Sequence, residues 1–103
     1  MSGITEDRND PGLQEINPDG MQEKYLVLSD EERAKGFIRP VRRSYIHNDC
    51  GSLTKMGQEL AETYARKPSF YTGTFCVACA KHFNLVADGI RQFKWKDGTN
   101  VGE

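Results

Sequence analysis

His47-Asn48-Asp49-Cys50-Gly51 and Cys76-Val77-Ala78-Cys79 are the two short stretches on which this sequence turns. Together they read H-x2-C-x25-C-x2-C. Two ligands separated by two residues fit on one turn, and both side chains then converge on an ion about 2.0–2.3 Å away. Two such half-sites complete a tetrahedron, the geometry that suits Zn2+. His47, Cys50, Cys76 and Cys79 are therefore the expected ligands of one structural zinc. Gly51 allows a sharp turn directly beneath the metal.

Competing readings of the same residues exist. A lone C-x2-C is also a redox motif, but thioredoxin-like pairs sit beside a βαβ pattern, which is missing here. A redox pair would also leave His47 and Cys50 without a role. Free cysteines are often buried simply as small hydrophobes. All three cysteines of this chain nevertheless fall inside the four-ligand pattern. His82, three residues after Cys79, is an alternative fourth ligand. His47 is preferred because it forms a half-site with Cys50. A shell closed by four protein ligands keeps no position for water, which argues for a structural rather than a catalytic metal.

Composition points the same way. Hydrophobic residues make up 37% of the 103 residues, so a large core is not expected. Small scaffolds of this kind commonly need a staple, and a metal supplies one. No apolar run approaches the roughly 18 residues of a membrane span. An odd number of cysteines excludes a fully paired disulfide framework within one chain. The first twenty residues lack the apolar stretch of a secretory signal, so the expected compartment is the cytoplasm.

Charge is divided along the chain. Residues 1–32 carry two basic and nine acidic side chains, whereas residues 33–103 carry twelve basic and six acidic ones. Residues 1–24 contain Asp10-Pro11-Gly12 and Asn17-Pro18-Asp19-Gly20, two turn signals with few apolar residues between them. They read as a disordered acidic arm, because ordering them costs more entropy than their burial returns. Residues 25–103 are then the folded domain.

Within that domain, Ser29 and Glu32 form a capping-box pattern that predicts a short helix over 30–35, ended by Gly36. Residues 37–46 read as a strand that Pro40 confines to an edge or divides. Met56, Leu60 and Tyr64 recur at helical spacing, predicting a helix over 54–66 that Pro68 stops. Residues 70–75 and 90–96 read as strands, with Asp97-Gly98 as a hairpin turn and 99–101 as the return. The fold class is α+β: a small zinc-ribbon-like domain with short antiparallel strands and one helix between the two metal half-sites.

The segment from Gly36 to Gly102 carries GFIRPVRRSYIH, the Cys50-Gly51 pair, LAETYARKPSFY, TFCVACAKHF and FKWKDGTNVG. In these stretches it resembles small zinc-ribbon-like proteins of bacteriophages and bacteria, a group without an assigned activity. The resemblance implies zinc ligands at His47, Cys50, Cys76 and Cys79, and a phage or prophage origin. The acidic arm lies outside it.

The expected function is a non-enzymatic, zinc-stabilised binding module. It would be a phage-type accessory protein that binds a host protein, such as a defence or transcription component. The acidic arm motivates this, since it can mimic nucleic acid on a basic partner. The alternative is direct nucleic-acid binding by the basic body, through Arg39, Arg42, Arg43, Lys81, Lys94 and Lys96 with aromatic residues between them. No serine, histidine or carboxylate falls into a recognisable catalytic arrangement; Glu59 and Glu62 read as a solvated helix face.

Overall fold

The computed structural model of the protein describes residues 3–103. Short strands and two helices make up the chain, an α+β arrangement. Strand β1 (Gly3–Thr5) pairs in parallel with β2 (Lys24–Leu26). Helix α1 (Asp30–Ala34) follows, with the Ser29 hydroxyl accepting the Glu32 N–H as the capping pattern predicts. A three-stranded antiparallel sheet is built from β3 (Ser44–His47), β4 (Leu53–Lys55) and β9 (Phe93–Trp95), in the order β4-β3-β9. Helix α2 (Gln58–Arg66) lies in sequence between the two cysteine turns. Two further antiparallel pairs are β5 (Gly73–Cys76) with β6 (Lys81–Asn84), and β7 (Val86–Ala87) with β8 (Ile90–Arg91).

One layer of aromatic and aliphatic side chains forms the core. Alternation along β3, β4 and β9 puts Tyr45, Thr54 and Trp95 on the inner face. Tyr64, Ala61 and Ala65 of α2 bury against them. Trp95 meets Tyr64 and Tyr45 edge-on, at ring separations of 5.3 and 6.2 Å. Arg33 fastens α1 to α2 through Glu62 at 2.7 Å. Its side chain also donates to the Leu28 carbonyl and pairs with Asp30.

Several expectations change. Residues 37–46 are not one strand: only Ser44–His47 is extended in a ladder, and the amides of Ile38 and Arg39 go instead to the Ala65 carbonyl. Pro40 lacks the N–H that a continuous ladder would need. The helix predicted over 54–66 begins only after Gly57, because Leu53–Lys55 is claimed by β3 as its hairpin partner. The stretch 90–96 breaks at Gln92, whose N–H turns to the Leu85 carbonyl. Asp97-Gly98 makes its turn, but the return is an isolated bridge from Lys94 to Asn100 rather than a strand.

The largest difference is at the N-terminus. Residues 1 and 2 of the predicted arm lie outside the described residues; residues 3–24 are not a free arm. Gly3 donates to the Glu23 carbonyl and Val27 to Thr5, closing the β1–β2 pair. Asp10 caps the turn at Pro11–Leu13 and pairs with Lys24 at 3.1 Å. Tyr71 hydroxyl donates to the Leu26 carbonyl and Val27 is buried. The entropy argument for disorder treated the segment alone, whereas its backbone groups are satisfied by one another and by the body.

Gly20 makes the closest approach in this docking. Its φ is +88°, and a Cβ there would stand 1.9 Å from the Ala80 carbonyl oxygen. A left-handed backbone costs a side-chain-bearing residue roughly 1–2 kcal/mol before any clash. Gly20→Ala is therefore expected to loosen residues 3–27 while leaving α2 intact. Amide exchange at Gly3, Glu23 and Val27 should rise about tenfold or more, as a cost near 1.4 kcal/mol requires. Unchanged protection at those three amides would contradict the docked geometry.

Candidate metal centre

Each half of the candidate site is the turn of a β-hairpin. His47 ends β3 and Cys50 lies in the turn to β4; Cys76 ends β5 and Cys79 lies in the turn to β6. The two turns close alike. The Gly51 N–H donates to the His47 carbonyl at 2.7 Å, and the Ala80 N–H to the Cys76 carbonyl at 2.9 Å. The residue after the second ligand is left-handed in both, with φ +74° at Gly51 and +55° at Ala80. Glycine takes that conformation without cost, while Ala80 is held in it by its surroundings.

The turns face each other. The donor atoms of His47, Cys50, Cys76 and Cys79 all lie within 4.8 Å of one another, so the cluster can hold a metal ion. Cys50 Sγ is 3.5 Å from Cys76 Sγ, and Cys79 Sγ is 3.8 Å from His47 Nδ1. A tetrahedral ion with bonds of about 2.3 Å to sulfur and 2.0–2.1 Å to nitrogen separates its ligands by about 3.6–3.8 Å. The two closest gaps, 3.5 and 3.8 Å, lie near that spacing. All three cysteines are free thiols.

The ring of His47 is fixed by stacking. It stacks on Phe93 and packs at a tilt against Phe83, with centroid separations of 4.8 and 4.4 Å. Its Nδ1 is turned to the cysteines, and its Nε2 is buried without a hydrogen-bond partner. Aromatic packing here orients the ring, a task that a carboxylate or carbonyl often performs around a ligand histidine.

Electrostatics at the cluster are uneven. The Ser52 backbone N–H, against desolvation and with help from the Cys76 thiol, holds Cys50 down to about 6. The neighbouring Cys76 thiol, then burial and Cys50, pushes Cys79 up to about 11. Sulfurs this close repel one another as thiolates, so full ionisation of the set calls for a cation among them.

His82, the alternative ligand, is not in the cluster. It faces Tyr25, whose hydroxyl lies 2.9 Å from its Nε2, and it packs at a tilt against Phe75. Register explains this: His82 pairs with Phe75 across β5–β6, one position from the Cys76–Lys81 pair. Burial lowers its pKa below the ordinary value of 6.5. The folded chain therefore prefers the neutral ring. Its contribution is complete above 6.5 and is lost as pH falls toward the folded value. Followed by NMR, the His82 ring is expected to titrate with a midpoint below 6.5. A midpoint at or above that value would mean the ring is solvated and Tyr25 does not hold it.

The basic residues singled out for binding are dispersed. Arg42 lies with its guanidinium 4.7 Å over the Trp95 ring and donates to Thr99. Arg43 donates to the Met56 carbonyl. Lys81 sits 5.1 Å over Phe83, and Arg39 is exposed on the segment before β3. Lys94 and Lys96 alone share a surface, the solvent face of the three-stranded sheet, and Lys55 of β4 joins them there. The sequence counts Lys55 in the basic body but not among the candidate binding residues. It gives Ala80 no role; the one available signal is that Ala80 follows Cys79 as Gly51 follows Cys50. Among the described residues no helix is long and apolar enough to cross a membrane. No protein-family model, curated protein or solved structure matches this chain.

Proposed function

We propose that the chain is a non-enzymatic binding module of zinc-ribbon type, stapled by one structural Zn2+. The observation that carries this reading is the set of four donor atoms within 4.8 Å of one another, drawn from two hairpin turns. One nitrogen and three sulfurs suit Zn2+, and four protein ligands leave no open position for water. His47, Cys50, Cys76 and Cys79 would hold the ion, which supplies cohesion between two hairpins rather than chemistry.

The partner in this reading is a protein, in keeping with the phage or prophage origin that the resemblance implies. Val77, 57% exposed beside Cys76, and Leu53, 41% exposed on β4, offer apolar contact around the metal turns. One observation favours nucleic acid instead. Lys55, Lys94 and Lys96 share the outer sheet face, and none joins an ion pair among the described residues.

Two measurements decide. Elemental analysis of the purified chain should give one zinc per chain; a folded, metal-free chain would remove the foundation. The zinc-loaded chain should then leave DNA and RNA oligonucleotides unretarded in a mobility-shift salt series. Retardation that weakens steeply with salt and disappears in a Lys94→Glu, Lys96→Glu double variant would transfer the function to the basic sheet face.

A further inference from the structure

A cavity of about 1080 Å³ lies between the N-terminal segment and the body, and neither the metal nor the basic sheet face accounts for it. The space is open to solvent, a cleft rather than an enclosed void. It slightly exceeds the roughly 300–1,000 Å³ of small-molecule pockets.

Its walls have a definite chemistry. Ile4, Leu13 and Met21 reach it from the N-terminal segment, and Leu60, Phe70 and Tyr71 from α2 and the loop after it. A polar edge is added by Tyr45, Thr74, Tyr25 and His82. Thr74 hydroxyl donates to Tyr45 Oη at 3.2 Å, and Tyr45 in turn donates to the Phe75 carbonyl. Burial raises the phenols of Tyr25, Tyr45, Tyr64 and Tyr71 and lowers His82. These groups therefore stay neutral at neutral pH and can bond a ligand without repelling its charge.

The charged groups at the cavity are unequal. Arg8 lines it and takes part in no ion pair among the described residues. Glu59 is the one carboxylate among the lining residues. Arg8 is held at the wall, its guanidinium 5.5 Å from the centre of the Phe70 ring. A cation fixed beside an aromatic wall favours a ligand that is itself flat and negative at one end.

From this arrangement we infer that the cavity between the N-terminal segment and the body binds a small aromatic acid, with its rings against Phe70, Tyr71 and Leu60 and its anionic group toward Arg8. The inference does not depend on which macromolecule the module binds. It does assign a purpose to the docking of residues 3–24, which otherwise adds acidic residues to the fold without adding to its core. Were that segment free, the cavity would lose one of its two walls.

The test uses the zinc-loaded full chain and two probes, anilinonaphthalene sulfonate and the uncharged N-phenyl-1-naphthylamine. The sulfonate is expected to bind saturably at one site per chain, with near-ultraviolet circular dichroism unchanged. Leu60→Trp, which fills the cavity, should weaken it about tenfold or more, as loss of one good contact set implies. If that variant does not fold, Met21→Trp fills the same space from the opposite wall. Arg8→Ala should weaken the sulfonate about tenfold and leave the neutral probe unchanged, the signature of a charge-assisted contact. Non-saturable binding, loss of the near-ultraviolet signal on binding, or unchanged affinity in a folded filled variant would overturn the site. Equal weakening of both probes by Arg8→Ala would overturn the assignment of an anionic ligand.

Discussion

A Cys76→Ala variant is expected to bind no zinc and to lose its cooperative fold. Cys76 is fully buried, ends β5 and belongs to the hydrophobic core cluster. If it were only a small hydrophobe, exchanging it for alanine would cost about 1 kcal/mol, the scale of one buried methylene-sized group. As a zinc ligand it matters far more. Structural zinc in finger peptides contributes an apparent 10–16 kcal/mol, comparable to or larger than the roughly 5–15 kcal/mol by which whole domains are stable. The two accounts therefore differ by an order of magnitude in one measurement. Circular dichroism and thermal melting of the variant, with metal content determined in parallel, read the difference. Val77→Ala, in the same turn but pointing to solvent, is the matched control and should retain both metal and melting temperature. A zinc-free Cys76→Ala chain that melts with the wild type would end the metal-staple account.

Trp95→Ala is the second large effect, and it acts through packing rather than metal. Trp95 is 1% exposed, meets Tyr45 and Tyr64 edge-on, and carries Arg42 on its face. Truncating a buried tryptophan costs about 3–5 kcal/mol, so a melting temperature lower by roughly 12 °C or more is expected. Trp95→Phe should cost less, because it keeps an aromatic ring against Tyr45 and Tyr64. Its indole N–H is buried with no hydrogen-bond partner, so phenylalanine removes an unsatisfied donor along with part of the volume. Similar melting temperatures for the two variants would mean that the ring is not the keystone of the aromatic layer.

The metal site was the most legible feature because its information is local. H-x2-C and C-x2-C are each read within one turn, and each turn closes with its own backbone hydrogen bond. The choice between His47 and His82 was also accessible from pairing logic, since a half-site needs two ligands. The cap at Ser29 and the end of α2 before Pro68 were local as well. The strand over 37–46 and the early start of α2 were misjudged for the opposite reason. Apolar periodicity told which residues prefer to be buried, but the ladder partners of residues 53–55 lie in β3 and are not encoded by the spacing around Met56.

By itself, then, the sequence determined the candidate ligand set and the short-range chemistry that makes two convergent turns, because ligand spacing and turn closure are properties of five consecutive residues. Tertiary structure decided the rest. It brought the turns within reach of one ion, gave His82 to Tyr25 and placed Arg42 on Trp95 and Arg43 on the Met56 carbonyl. Above all it turned a segment that reads as free and acidic into one wall of a cavity. A polar segment is disordered only if its backbone finds no partners, and those partners, in β2, exist only once the body has folded.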